Sequence, residues 1–418
     1  MKNSLSVLLF CVFASTMQGQ ELTVREKRLL DQVERLEARV AALEKKLEPA
    51  VSSVTASPVA IPEAVERAKQ SPTAGFNYGL TLDGYYAYNF NHPGNRTNAL
   101  RAYDVSSNSF SLNQATFVIE RPVDLTVGRR YGARVDLQYG QATQTLQGSS
   151  TNELRPDIYR TVFQAYGTYV APIGRGLTVD FGKWASSLGI ENNYTKDQAN
   201  YSRSYLFTYL PYYHMGLRST YAFNDKVNVS WWLVNGAQQT EDFNGFKSNA
   251  VLLNVKPTKA VSWNLNYYFG DENRVAGAHG KTHILDSYVS WNATKDLTFG
   301  AEGDYVVSRE TPGSAPSRVT AGALYFRQQL KRDFAIAARG EYLSDRGGLF
   351  SGGTQALKEA TLTFEKKLAE GLLVRSEWRR DFSNRNYFPT ANAGVLRRSQ
   401  STATVGLVWW FGNKEGAW

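Results

Sequence analysis

The sequence has few of the side chains that carry catalysis or bind transition metals. Its 418 residues include a single cysteine, Cys11, three methionines and four histidines. The motifs Gly-x-Ser-x-Gly and His-Glu-x-x-His and the P-loop are absent, so the usual hydrolases and nucleotide-binding enzymes find no support. The sequence therefore predicts a protein that is not an enzyme, with no cofactor, no catalytic residues and no metal site.

Long apolar runs are also missing. No stretch of about 18 apolar residues occurs, and the mean hydropathy is −0.39, which excludes a helical membrane protein. Aromatic residues are plentiful instead, with 24 Tyr, 21 Phe and 9 Trp, as in β-structures with aromatic girdles. Because Cys11 lies in a segment that we expect to be removed, the mature chain would have no thiol, which is consistent with an oxidising compartment.

The formal net charge is +9, but the basic residues show no pattern typical of nucleic-acid binding. They are scattered through turns, and no run of them is interleaved with aromatics. Nucleic acid is therefore not an expected partner. The excess of basic residues in the short turns is explained by contact with anionic lipid head groups or by a role in drawing anions through a pore.

The first 75 residues divide into three predicted segments. Residues 1–20 have Lys2, an apolar core and a small-residue exit, which indicates a secretory signal peptide. In residues 21–48 apolar residues recur at spacings of three and four from Leu22 to Leu47, with one exception at Glu26, which predicts a short periplasmic coiled coil. A single amphipathic helix lying on another surface is the alternative. Residues 49–75, rich in Pro, Ala and Ser, predict a linker.

From Phe76 to Phe411, segments with period-two patterning are separated by gaps that alternate between short and long. This pattern predicts an all-β fold, a 16-stranded antiparallel transmembrane barrel in the outer membrane, with both ends in the periplasm. A barrel of this size is wide enough for a water-filled channel. The predicted strands are 77–90, 108–122, 130–141, 159–171, 176–186, 213–223, 226–237, 247–258, 260–271, 282–294, 296–308, 317–330, 333–345, 355–367, 371–383 and 399–411.

Charged residues recur on the inward rows of these strands. Burial of charges without water would be costly, so we expect a wet lumen. Arg-x-acid repeats either pair to brace the wall or set up a transverse field that orders polar solutes; both can hold together. The predicted pore-lining residues are Arg134, Asp136, Asp180, Glu302, Asp304, Arg339, Glu341, Arg375, Glu377, Arg379 and Asp381.

The gap 187–212 is the longest of the eight long gaps and is rich in tyrosine. Aromatic side chains on a fully solvated loop would leave apolar surface in water, so we expect this loop to fold inward as a constriction. A loop lying flat over the barrel mouth, or against a neighbouring subunit, is the alternative. Its predicted constriction charges are Glu191, Lys196, Asp197 and Arg203.

The octet 404–411, TVGLVWWF, has an apolar outward row and predicts the lipid-facing strand that closes the barrel. Its pattern resembles the signal that the barrel-assembly machinery reads in the last strand of outer-membrane barrels. An ordinary buried strand of a soluble sandwich is the alternative for the octet alone. Residues 412–418 follow as a short tail. The predicted signal residues are Thr404, Gly406, Trp409 and Phe411.

Several motifs, in their order along the chain, resemble the OmpL-like family of β-barrel porins. The resemblance covers roughly residues 76–411 and implies an outer-membrane channel for small hydrophilic solutes, acting by passive diffusion, in a homo-oligomer such as a trimer. The alternative is a plugged structural or adhesive barrel tethered to the cell wall through its coiled coil. The motifs are FSLNQA at 110–115, FGKWASSLGIE at 181–191, NYSRS at 200–204, PYYHMGL at 211–217, VNG at 234–236 and RSEWR at 375–379.

Overall fold

The computed structural model describes residues 75–148, 153–275 and 277–418, together with residues 35, 38 and 39, which are helical. The chain divides into two units, Met1–Pro72 and Thr73–Trp418. The predicted signal peptide and the linker before residue 75 lie outside the described residues. So does the predicted coiled coil, apart from those three helical positions. No helix in the described ranges is long and apolar enough to cross a membrane.

Sixteen antiparallel strands form one closed barrel in the second unit, which confirms the predicted architecture. Strands adjacent in the chain pair with each other, and the last strand closes on the first. Two further short strands, β16 (Phe388–Pro389) and β17 (Leu396–Arg397), form a separate hairpin. The barrel strands are β1 (Asn77–Asn89), β2 (Ser109–Arg121), β3 (Tyr131–Tyr139), β4 (Val162–Ala171), β5 (Leu177–Ala185), β6 (Tyr213–Ala222), β7 (Val227–Val234), β8 (Ser248–Thr258), β9 (Val261–Gly270), β10 (Thr282–Asn292), β11 (Leu297–Ser308), β12 (Ser317–Lys331), β13 (Phe334–Arg346), β14 (Gln355–Ala369), β15 (Leu372–Ser383) and β18 (Ser399–Gly412).

Strict alternation of side chains along each strand separates the two faces of the barrel wall. In β18, Thr402 and Thr404 are buried, whereas Ala403, Val405 and Leu407 are exposed. The side-chain period of a strand is two, so the alternating sequence puts every second residue outward. The outer surface is therefore apolar, as a lipid-facing barrel requires, and the polar rows face the lumen.

Two long connections contain three α-helices, and these account for the main differences from the predicted strand ends. Gly140 has φ 104°, a left-handed conformation that glycine adopts without strain, and it ends β3 two residues earlier than predicted. It is followed by α1 (Gln141–Gln147), and α2 (Pro156–Tyr159) precedes β4. The third helix, α3 (Tyr205–Tyr209), lies in the connection from β5 to β6.

The barrel closes through β18, which pairs with β1 on one side and β15 on the other. Leu80 lies opposite Phe411, and Glu377 lies opposite Thr404. The octet 404–411 therefore lies within the closing strand. Long connections lie at one end of the barrel and short turns at the other, since each antiparallel pair reverses direction.

Candidate functional site

Residues 186–212, which connect β5 to β6 and are called loop 3 below, contact the inner wall on nearly opposite sides. The backbone N–H of Gly189 donates to Asp286 of β10 at 2.9 Å. The hydroxyl of Tyr201 donates to Asp83 of β1 at 2.7 Å. Because β1 and β10 are almost diametrically placed in the closed strand order, these contacts carry loop 3 across the lumen.

Carboxylates of the wall accept hydrogen bonds from the backbone of loop 3. Glu377 accepts from the N–H groups of Tyr201 and Ser202 at 2.6 and 3.0 Å. Glu341 accepts from the N–H of Tyr205, at the start of α3, at 2.8 Å. Buried N–H groups need a partner, and a charged acceptor makes the bond stronger than a neutral one does. The wall therefore satisfies donors that no sheet neighbour satisfies.

Arginines of the wall complete this arrangement by donating to backbone carbonyls of loop 3. Arg375 donates to the carbonyl of Thr195 at 2.5 Å, and Arg379 donates to that of Arg203, also at 2.5 Å. Arg339 donates to the carbonyl of Ser202 at 2.8 Å. Each guanidinium has several fixed donors, so it can pair with a wall carboxylate and bind loop 3 at the same time.

All eleven predicted pore-lining residues lie on the inward rows of their strands. Ten are buried and only Arg134 is partly exposed, which differs from the water-surrounded charges expected from the sequence. Loop 3 takes the place of that water. The arginines also form ion pairs with carboxylates on the same or the adjacent strand: Arg134–Asp136 at 2.8 Å, Arg218–Asp180 at 2.8 Å, Arg339–Glu359 at 2.8 Å, Arg375–Glu365 at 2.7 Å and Arg379–Asp381 at 2.9 Å.

The four predicted constriction charges have different surroundings. Glu191 pairs with Arg339 at 2.8 Å, and Lys196 pairs with Asp197 at 2.6 Å. Burial lowers the pKa of the Lys196 ammonium, although Asp197 opposes that shift. Arg203 is fully buried and donates to carbonyls within loop 3, at Asn192, Asn193 and Tyr201. Arg203 therefore holds the shape of the loop. The sequence predicts a charge that faces the opening of a constriction, and the buried position of Arg203 differs from that prediction.

Cavities lie beside loop 3, and two of them are lined by polar and charged side chains. The larger, of about 580 Å³, lies between residues 190–200 and the inward rows of β10 to β15, and charged side chains including Lys196, Arg327 and Glu365 line it. The smaller, of about 300 Å³, lies beside Ser187 and is lined by Asp180 and by polar residues of β5 to β9. Polar space therefore remains beside loop 3.

A family model described as "Putative beta-barrel porin-2, OmpL-like" matches residues 75–411. The chain belongs to this porin family. The match covers the whole barrel and confirms the resemblance seen in the sequence motifs. Comparison with curated protein sequences gives no match.

Solved structures of several outer-membrane proteins share the fold. The trimer form of in-vitro folded OmpT from Vibrio cholerae is 9% identical, with a TM-score of 0.53 over 80% of this chain and 99% of its own. The outer-membrane channel DcaP of Acinetobacter baumannii is 10% identical, with a TM-score of 0.53 over 80% and 97%. An anion-selective porin from Comamonas acidovorans is 9% identical, with a TM-score of 0.53 over 80% and 99%. Identities this low show the fold alone.

In this porin, the four predicted assembly-signal residues fall on both faces of β18. Trp409 and Phe411 face outward and are 36% and 55% exposed, whereas Thr404 is buried on the inner face. Gly406 also faces inward, where a Cβ atom would lie 2.2 Å from Cε2 of Tyr201. The missing side chain lets the Tyr201 ring of loop 3 lie against the wall. Sequence reasoning did not find this role.

The tail after Gly412 contacts loop 3 as well. The N–H of Trp418 donates to Asp197 at 2.9 Å, and the ammonium of Lys196 lies 4.7 Å from the centre of the Trp418 ring. Lys414 pairs with Glu120 at 2.7 Å. Cation–π contacts of this kind stabilise modestly. Residues 413–418 therefore help to surround Lys196, although the sequence predicted no role for them.

Three carboxylates of this porin meet on the inner face of β10 and β11. Oxygen atoms of Asp286, Glu302 and Asp304 all lie within 4.8 Å of one another. The sequence predicted Glu302 and Asp304 as lumen residues but missed Asp286. The period-two pattern of β10 contained the signal, because Ile284, Asp286 and Tyr288 occupy one row of that strand.

Proposed function

We propose that this chain is an outer-membrane porin through which small hydrophilic solutes diffuse passively, and that loop 3 forms its constriction. Membership of the porin family supports the channel function. The observation that carries the constriction is the pair of hydrogen bonds that loop 3 makes with Asp286 of β10 and Asp83 of β1, two nearly opposite strands. Polar cavities remain beside the loop. Solutes would pass beside loop 3, which stays in place.

The wall arginines support a fixed constriction. Arg339, Arg375 and Arg379 each bond both to a wall carboxylate and to loop 3. Moving loop 3 would leave buried charges and carbonyls unpaired, which is costly. In the larger cavity, Arg327 and Glu365 pair at 2.8 Å and place opposite charges along one side of the passage. That arrangement supports a transverse field acting on polar solutes.

We also propose that the chain inserts through recognition of Thr404, Gly406, Trp409 and Phe411 by the barrel-assembly machinery, and that it forms a homo-oligomer. A trimer form of the Vibrio cholerae relative supports the oligomer. A coiled coil in residues 21–48, placed in the periplasm, would help to hold the subunits together.

A plugged structural or adhesive barrel is the second candidate function. The observation that favours it is the burial of ten of the eleven predicted lumen charges. If the two cavities do not connect the ends of the barrel, loop 3 would act as a plug. The role of the protein would then lie in its attachment to the cell wall.

Two cysteine substitutions on one strand distinguish the pore from the plug. Ser290 lines the larger cavity, whereas Ser287 lies on the outward row of the same strand and accepts a hydrogen bond from Trp263. Each change is made in a Cys11→Ser background, and single-channel conductance is measured in a planar bilayer before and after a cationic methanethiosulfonate reagent is added.

We expect stable conductance steps that fall after modification of Ser290→Cys and do not change for Ser287→Cys. If the reagent leaves the conductance of both variants unchanged, solutes do not pass through the larger cavity. Silence from folded, inserted protein would support the plugged barrel.

A further inference from the structure

The cluster of Asp286, Glu302 and Asp304 concentrates negative charge on one part of the inner wall. Asp286 of β10 lies directly opposite Asp304 of β11, and Glu302 lies two residues before Asp304 on the same inward row. Like charges facing each other across paired strands repel. Some other group has to compensate this arrangement.

Several other buried carboxylates of the lumen are paired with arginine. Arg339, for example, lies 2.8 Å from Glu359 and 3.2 Å from Glu341. Across residues 75–148, 153–275 and 277–418, by contrast, neither Asp286, Glu302 nor Asp304 takes part in a salt bridge. Within these ranges Asp83 and Glu377 also lack a salt bridge, but both oxygens of each accept hydrogen bonds.

Neutral donors satisfy only part of the cluster. Asn266 and the N–H of Gly189 donate to one oxygen of Asp286, at 2.7 and 2.9 Å. Tyr325 donates to Glu302 at 2.8 Å. The remaining Oδ1 of Asp286 and Oδ1 of Asp304 are buried without a hydrogen-bond partner. A buried carboxylate oxygen without a partner is unfavourable, and two of them in one cluster form a ready acceptor for a cation.

We propose that Asp286, Glu302 and Asp304 bind a divalent cation of the calcium type. Calcium is a hard cation that takes oxygen ligands at about 2.3–2.6 Å, whereas magnesium usually keeps several waters and is seldom held by protein ligands alone. Carboxylate oxygens that all lie within 4.8 Å of one another can reach the same ion.

Such a cation would connect the barrel wall to loop 3. Asp286 and Glu302 also accept the N–H groups of Gly189 and Ile190, at 2.9 and 3.3 Å. Gly189 has φ 88°, and a Cβ atom there would lie 3.0 Å from Glu302. The start of loop 3 is therefore fitted closely over the cluster, and bound calcium would fix it there. The site is independent of which solute passes through the lumen.

Metal binding to the folded full-length chain tests the proposal. The purified protein in detergent is treated with a chelator, then titrated with Tb³⁺, which Tyr325 can sensitise to luminesce because its hydroxyl touches Glu302. Ca²⁺ is then added as a competitor, and direct calorimetric titration with Ca²⁺ gives the stoichiometry. The variants are Asp286→Asn and Asp304→Asn, and the control is Asp180→Asn, a buried lumen aspartate that pairs with Arg218. Heat-modifiable migration shows that each variant is folded.

We expect a single Ca²⁺ per chain, with affinity reduced about tenfold or more in Asp286→Asn and Asp304→Asn and retained in Asp180→Asn. Absence of Ca²⁺ binding by the folded wild-type chain would overturn the proposal, and the cluster would then be compensated by shared protons. Equal losses in Asp286→Asn and the Asp180→Asn control would overturn it as well. Should a variant fail to fold, the wild-type titration decides the question alone.

Discussion

Replacement of Gly406 by alanine tests whether loop 3 is packed against the barrel wall. The added Cβ would lie 2.2 and 2.3 Å from two ring carbons of Tyr201, whereas carbon atoms in contact are about 3.5–4.0 Å apart. The ring would therefore have to shift by more than about 1 Å. Tyr201 is 1% exposed, its backbone N–H donates to Glu377, and its hydroxyl donates to Asp83.

Overpacking of this kind costs roughly 1–3 kcal/mol. An alanine in an unstrained strand position otherwise gains about 0.5–1 kcal/mol over glycine. The net reduction in the free energy of unfolding, measured with denaturant in lipid vesicles, should therefore be roughly 0–2.5 kcal/mol for Gly406→Ala. Gly303→Ala is the control, because its Cβ would meet no atom closer than 3.9 Å.

A double-mutant cycle makes this prediction specific to the contact. In a Tyr201→Ala background the ring is gone, so Gly406→Ala should cost nothing or stabilise slightly. The coupling free energy between the two positions should be about 1–3 kcal/mol, within the range for residues in contact. If Gly406→Ala lowers the free energy of unfolding equally with and without the Tyr201 ring, loop 3 does not pack on β18 through this contact.

Three further predictions concern assembly, association and pH. Phe411→Ser should lower the amount of heat-modifiable barrel in the outer membrane, and the outward aromatic would be irrelevant to the signal if the amount were unchanged. Replacement of Leu36 and Val40 by Asp should abolish association of a peptide spanning residues 21–48, since the charges would be buried against their symmetry mates; a peptide that still associates would contradict the coiled coil. The hydrogen bond from Lys366 lowers the pKa of Asp333 in its exposed turn. The contribution of this pair to stability is therefore present at pH values above the usual pKa of aspartate, and it is lost as the pH falls through the lowered pKa. Lys366→Met should return that pKa, followed by NMR, to its usual range; an unchanged pKa would show that Lys366 is not its cause.

The strands could be predicted from the sequence because their pattern is local. β7 was expected at 226–237 and is found at Val227–Val234, a difference confined to the ends. A side-chain period of two is written into each segment separately. Every second connection is a short turn, so the pairing of the strands that it joins follows from the order along the chain.

The partners of loop 3 could not be predicted, because they depend on contacts between distant parts of the chain. Tyr201 meets Asp83 from 118 residues away. Likewise, the sequence predicts Arg203 as a charge at the constriction, but its guanidinium donates hydrogen bonds to carbonyls of its own loop. Only the path of the loop backbone decides between these environments, and no periodic pattern encodes that path.

The acidic cluster could be predicted from the sequence in part. A hairpin centred on Lys295 places Asp286 opposite Asp304, since both residues are equally far from it, and the structure has this register. The predicted turn at residues 294–296 therefore contained the facing pair. What the sequence did not show is that the arginines of the lumen pair elsewhere.

Single-channel conductance after shortening loop 3 tests the central claim most directly. Glu191 and Ser202 both contact the same Nη1 atom of Arg339, at 2.8 Å each. The residues on either side of the stretch 192–200 therefore meet at one arginine, and the stretch is replaced by two glycines. Replacement of residues 392–394, at the exposed tip of the β16–β17 hairpin, by two glycines is the matched control.

If loop 3 is the constriction of an open pore, the wild-type chain gives stable conductance steps in a planar bilayer. The shortened loop then raises the conductance, because it removes side chains that fill the lumen, and the hairpin control leaves it at the wild-type value. Equal conductance in all three folded proteins would contradict the account.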